Sequence, residues 1–327
     1  MAAKPNLLVM GENVEAHADH LAQYFTIHMV TGQDDAGAYL DEIGPAIDGL
    51  AISGGADPRG DAYLFDKLPG LSIVAAIGVG FSMVDAKEVL RRGILMTHGP
   101  GSNADSVADL GIGLMLAVSR RLVYFDDYTR RGAWAETASK GGFTTTPTGK
   151  TMGIIGLGAI GSAIARRAAG FDMEILYHQR TRRSGAGYRY FDNVRGMAAA
   201  ADYLVVSVPA TDETRHMVDA GVLGALGPDG YLINISRGLV VDEDALVAAL
   251  SSGAIAGAGL DVFQNEPNVR SELTEAENVV LSPHRAAFTH ESTLRMRDML
   301  TENLRAHFAG QPVPNPVKGF EHLMAKE

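Results

Sequence analysis

"TMGIIGLGAIGSAIARRAAGF", Thr151 to Phe171, decides the fold. It opens as a short apolar run, breaks at Gly156-x-Gly158-x-x-Gly161, and continues with apolar residues at helical spacing. Strand, glycine turn and helix in that order give the three glycines separate tasks. Gly156 permits the tight turn, Gly158 lets the main chain approach a pyrophosphate, and Gly161 lets helix and strand pack closely. The free N–H groups at the start of the helix, with its partial positive charge, suit phosphates. The whole turn, Gly156, Leu157, Gly158, Ala159, Ile160 and Gly161, is therefore a candidate dinucleotide-binding element.

The next strand runs into "EILYHQRTRR", Glu174 to Arg183. An acid at its end would bond the ribose 2′-OH and repel a 2′-phosphate. Gln179 stands there instead, followed by Arg180, Thr181, Arg182 and Arg183. Guanidinium forks match phosphate oxygens. Gln179, Arg180 and Thr181 are thus candidate ribose-side contacts, with Arg180 the leading one. The expected cofactor is NADP(H) in preference to NAD(H), with NAD(H) use open.

Outward from this turn, apolar strands alternate with helical patterns in two series. One holds "NLLVM", "LAIS", "LSIVAAIGVG" and "ILMTH"; the other runs from "TMGIIGLG" through "DYLVVSVP", "GYLINIS" and "AGAGLDVF" to "NVVLSPH". Such a rhythm implies parallel, doubly wound sheets. The expected class is α/β with two Rossmann-like domains. Residues 100–289 form a dinucleotide-binding domain inserted into a flavodoxin-like substrate domain of residues 1–99 plus 290–327. The "HESTLRMRDMLTENLRAHFAG" helix then returns to the first domain. "YTRRGAWAETASKGGFTTTPTGK" reads as polar, irregular surface chain, and Ser102 and Asn103 as caps of the long apolar helix that follows them.

Length supports two domains, since 327 residues exceed one ordinary core. A net charge of −11 argues against general affinity for nucleic acid or anionic membrane. The absence of cysteine excludes disulfides, thiolate metal sites and cysteine nucleophiles; no metal site is expected. No apolar run reaches the roughly 18 residues of a membrane span, and the N-terminal run is too short for a signal-peptide core. A cytoplasmic location is expected.

Three further segments end strands of the second series: "LINISRG" with Arg237, "GLDVFQNEP" with Glu266 and "VVLSPHRAAFT" with His284. In a doubly wound sheet the strand C-termini line the ligand crevice. An arginine, a carboxylate and a histidine gathered there suit reduction of a 2-oxo acid. Arg237 clamps the carboxylate and polarises the carbonyl. His284 donates the proton as hydride arrives at carbon. Glu266 favours the imidazolium and fixes its tautomer. Singly, each has a plainer reading as an ion pair, a turn residue or a structural histidine; the ordered set behind a nucleotide turn carries the weight.

The chain resembles the D-2-hydroxyacid dehydrogenase family, particularly its glyoxylate/hydroxypyruvate reductase branch. The likeness rests on the segments above with "AAIGVGFSMVD", "RRGILMTHGPG", "SVADLGIGLMLAVSRRL" and "LINISRGLVVDEDALVAAL". It implies that Arg237, Glu266 and His284 are the family's catalytic residues. It implies that Val79 and Gly80 offer N–H groups to the substrate carboxylate, and that Val208 and Pro209 flank the cofactor. Ile235, Ser236, Arg237, Asp261 and His284 line its nicotinamide end, with Asp261 facing the carboxamide. It also implies a cleft that closes on ligand and a homodimer. Ala159 departs from the pattern, standing where many members have arginine. Two alternatives remain: a dehydrogenase of bulkier, lactate- or phenylpyruvate-like acids, and a non-catalytic NAD(P)-sensing binding protein. Phe81 and Trp134 are candidate pocket residues, with ordinary packing equally open to both.

Overall fold

The computed structural model describes residues 3–136 and 142–324; Thr137–Gly141, part of the stretch read as irregular, lie outside them. The chain divides into two compact units, Met1–Asn103 with His290–Glu327, and Ala104–Thr289. Both are α/β, with an all-parallel sheet in each among the described residues.

The first unit holds β1 (Asn6–Met10), β2 (Thr26–Met29), β3 (Gly49–Ile52), β4 (Ile73–Ala76) and β5 (Leu95–Thr97), in spatial order 2-1-3-4-5. That is the flavodoxin-like order. The helix His290–Phe308 packs on β4, and its Leu300 and Leu304 join the core of this unit. Its sequence presents an apolar stripe that a lone helix could not bury.

The second unit holds β6 (Thr151–Ile155), β7 (Glu174–His178), β8 (Arg189–Tyr190), β9 (Tyr203–Val206), β10 (Tyr231–Asn234), β11 (Gly257–Leu260) and β12 (Val279–Leu281), in order 12-11-10-9-6-7-8. The central strands β9, β10 and β11 are buried throughout, as continuous apolar runs in a parallel sheet require. Alternate residues feed opposite faces. Ile155, Leu204 and Leu232 belong to one core cluster, and Ile154, Tyr203, Val205 and Ile233 to the other. The chain reverses direction across the sheet between β6 and β9. A ligand crevice opens at such a switch point, beyond the strand C-termini.

Two local expectations are corrected. The stretch read as irregular, which begins at Tyr128, is helical at its start, where the helix Leu122–Arg130 ends, and again over Ala133–Glu136. The first of these helices buries no residue and is laced by Asp126–Arg130 and Asp127–Arg131 pairs at 2.7 Å. Asn103 does not act as a cap through its Oδ1, which is buried without a hydrogen-bond partner, and Ser102 Oγ donates to Gly99 O instead. No helix among the described residues is long and apolar enough to cross a membrane.

Candidate active site

Gly156 leaves β6 with φ +93°, a region that disfavours side chains. A Cβ there would lie 2.6 Å from Val208 Cγ1 and 2.9 Å from Ser207 O. Ser207, at the end of β9, donates through Oγ to Gly156 O at 2.7 Å. The two strands flanking the switch point are thereby tied at their C-termini. At Gly161 a Cβ would come within 2.0 Å of Gly156 O, so only glycine lets the helix Ala159–Ala169 start so close. Gly158 differs: nothing lies within 4 Å of its Cβ position. Two glycines are demanded by packing, and the third faces open space beside the N–H groups of the helix start, which have no intrahelical acceptor.

Leu157 is buried, while Ala159 is exposed and Ile160 half-buried. Pro209, beyond Val208, accepts a bond from Thr214 Oγ1. At the end of β7, Gln179 turns its amide onto Thr181 O at 2.6 Å. The Arg180 side chain is 85% exposed and lies 3.4 Å from the equally open Glu213. Arg183, which the sequence marked only as one of a cationic run, donates from Nη1 to Leu157 O at 3.2 Å and Ser162 Oγ at 2.9 Å. It brings a cation to the glycine turn from another strand, where Ala159 supplies none. A cavity of about 420 Å³ lies beside it, lined by Tyr177 and the segment Arg182–Tyr188.

The residues after β10, β11 and β12 emerge side by side. Asn234 organises the first turn: its Oδ1 accepts from Ser236 N and Oγ, and its Nδ2 donates to Arg237 O. Ile235 and Ser236 are buried, and Arg237 is exposed. In the second turn Glu266 Oε1 accepts from Phe263 N at 3.0 Å. Its Oε2 accepts from His284 Nδ1 at 2.7 Å. An ionised carboxylate only accepts, so the Nδ1 proton stays on that side of the ring and Nε2 is the remaining working nitrogen.

His284 itself has φ +53°. Such a conformation costs about 1–3 kcal/mol and persists only where neighbours impose it. Asp261, 1% exposed, is the neighbour. Its main-chain O accepts from His284 N at 2.8 Å. Its carboxylate accepts from Ser282 Oγ, Arg285 N and Ala286 N. Asp261 thus fastens the segment on both sides of His284, a task its place in "GLDVF" did not disclose.

In the first unit, Val79 and Gly80 follow β4 and are exposed. His98 Nδ1 donates to Val79 O at 3.0 Å, and Phe81 stands edge-on to the His98 ring. Trp134 is 63% exposed.

A family model for the "D-isomer specific 2-hydroxyacid dehydrogenase, NAD binding domain" matches residues 112–286. The chain belongs to that family. Among its relatives, a hydroxyphenylpyruvate reductase of Plectranthus scutellarioides is 46% identical over 82% of this chain and 85% of its own. A glyoxylate/hydroxypyruvate reductase of Arabidopsis thaliana is 45% identical over the same shares. A crystal structure of an NADPH-dependent glyoxylate/hydroxypyruvate reductase from Sinorhizobium meliloti, with NADP and malonate, is 40% identical. It covers 99% of both chains with a TM-score of 0.86. In this 2-hydroxyacid dehydrogenase the glycines at 156 and 161 are closed by packing, the one at 158 is open and the helix start beside it has no side-chain cap, a geometry that fits the pyrophosphate of a nicotinamide dinucleotide.

Proposed function

We propose that the chain reduces small 2-oxo acids, with glyoxylate and hydroxypyruvate as substrates giving glycolate and D-glycerate, and that it prefers NADPH to NADH. The observation that carries the reading is the 2.7 Å bond from His284 Nδ1 to Glu266, made at the strand C-termini of the sheet that holds the glycine turn. When bound, the nicotinamide supplies the hydride. The turn Gly156–Gly161 and the helix behind it would hold the pyrophosphate; Gln179, Arg180 and Thr181 would meet the ribose; Val208, Pro209, Ile235, Ser236 and Asp261 would line the remainder. Arg237 is assigned to the substrate carboxylate and to polarising its carbonyl; within the first unit, the N–H groups of Val79 and Gly80 are assigned to binding substrate. His284 gives its Nε2 proton to the carbonyl oxygen, and Glu266 keeps the ring oriented. The residues 1–99 plus 290–327 are assigned to substrate and 100–289 to cofactor.

Purified protein should oxidise NADPH when given glyoxylate or hydroxypyruvate. A panel of 2-oxo acids without turnover under either cofactor would end the enzymatic reading. A second reading is favoured by the near-equal identity to the hydroxyphenylpyruvate reductase: a larger aromatic 2-oxo acid as substrate. Comparing kcat/KM for 4-hydroxyphenylpyruvate and glyoxylate decides between the two.

The cofactor preference has its own consequence. The exposed Arg180–Glu213 pair contributes little, so Arg180 is free to turn to a 2′-phosphate. Arg180→Ala should narrow the NADPH:NADH ratio of kcat/KM by about tenfold, the size of one charge-assisted bond. Wild-type enzyme using both cofactors equally would remove the case for preference.

A further inference from the structure

One carboxylate of the second unit lies outside the catalytic set and is nearly sealed. Glu243 begins the helix Glu243–Ser252 and is 6% exposed. A buried carboxylate is costly unless hydrogen-bonded. Its Oε1 accepts the main-chain N–H of Gln264 at 2.6 Å. The neighbouring N–H, that of Phe263, ends on Glu266. Two successive amides of the turn carrying Glu266 are therefore held by two acids, one within the turn and one from the segment that follows Arg237. Gln264 adds to the join, since its Nε2 donates to Val241 O at 2.7 Å. The same two segments touch at Gly238, where a Cβ would fall 1.9 Å from Phe263 C.

We propose that Glu243 is a positioning residue: through Gln264 it locks the segment beginning at Arg237 to the turn ending at Glu266, and so fixes Glu266 against His284. The acid acts at a distance, because Gln264 and Phe263 stand between it and the Glu266–His284 pair. A glutamine in its place keeps an oxygen that accepts the same N–H; an alanine leaves that N–H without a partner in a closed site. The inference rests on the catalytic roles proposed for Glu266 and His284.

The experiment compares Glu243→Ala and Glu243→Gln by steady-state kinetics with NADPH and glyoxylate, each with its melting temperature. Glu243→Ala should lower kcat about tenfold with the KM for NADPH within twofold of wild type, because the glycine turn is untouched. Glu243→Gln should recover kcat to within about threefold. An effect on folding alone would lower the melting temperature and leave kcat per folded molecule unchanged; that result overturns the proposal. So does a glutamine variant as impaired as the alanine one. Should the alanine variant not fold, Glu243→Asp keeps the charge but draws the carboxylate back by one methylene from the Gln264 N–H, and a fall in kcat in the same direction is expected; unchanged kcat there also overturns it. His284→Asn separates the two readings. If that variant stays active, the catalytic assignment fails; if it is inactive while Glu243→Ala keeps full kcat, only the present inference fails.

Discussion

Replacing His284 should lower kcat by about a hundred- to ten-thousand-fold, the range that a positioned proton donor contributes. Two variants are needed, because the residue sits at φ +53°. Alanine is strained in that region, whereas asparagine visits it readily. A loss confined to His284→Ala would report backbone strain; an equal loss in His284→Asn reports the missing imidazole. The KM for NADPH should stay within about threefold, since the glycine turn is built from β6 and β9 and not from the segment after β12. The melting temperature should change little in the asparagine variant, because the His284 side chain is 42% exposed and, among the described residues, its side-chain bond goes to Glu266. Retention of kcat to within tenfold by the asparagine variant would show that the proton comes from elsewhere.

How much of this was legible beforehand depends on the reach of each interaction. The glycine turn was readable because its three glycines recur at fixed spacing within six residues of chain, between an apolar strand and a helix, although the atoms that crowd Gly156 belong to Ser207 and Val208. The parallel sheets followed from apolar runs separated by helical spacing, and the strand-end location of Glu266 and His284 followed from the sheets. Their direct bond could be proposed because both sit just past strands of one series. The supports of these residues were not legible. Asp261 reaches Ser282, Arg285 and Ala286, Asn234 closes the turn of Arg237, and Glu243 meets Gln264. Except for Asn234, each joins segments about twenty residues apart, and only knowledge of which strands lie side by side reveals them.

The cationic run shows a finer limit. "HQRTRR" announces positive charge but not which arginine faces which partner. Tyr177 OH accepts the Arg183 N–H at 3.1 Å and holds that residue's main chain, and its guanidinium reaches back to Leu157 and Ser162. Arg180 points to solvent. The helix Leu122–Arg130 was missed for a different reason. Its apolar residues Leu122 to Phe125 form one consecutive run ahead of Asp126 and Asp127, and none is buried, so the run by itself did not separate helix from loop.

Gly238→Ala should cut kcat/KM by about a hundredfold while the protein still binds NADPH. Nothing about its dihedrals demands glycine, for Gly238 is not among the residues with positive φ. The demand is space. An added Cβ would lie 1.9 Å from Phe263 C, 2.0 Å from Phe263 O and 2.4 Å from Gln264 N. All three are main-chain atoms, so no rotamer change relieves the clash and one segment must move by more than an ångström. The movement separates the residue after Arg237 from the turn that carries Glu266. Displacement of about 1 Å in a catalytic group is enough for a hundredfold loss, and overpacking of a closed site costs about 1–3 kcal/mol in stability. Gly224→Ala is the control: it lies in the helix Ala220–Leu226 with nothing within 4 Å of its Cβ position. That change should be neutral or stabilising by about 0.5–1 kcal/mol. Kinetics and thermal melts of the two variants side by side provide the check. Wild-type kcat/KM in Gly238→Ala would mean that the contact between the two turns does not set the catalytic geometry.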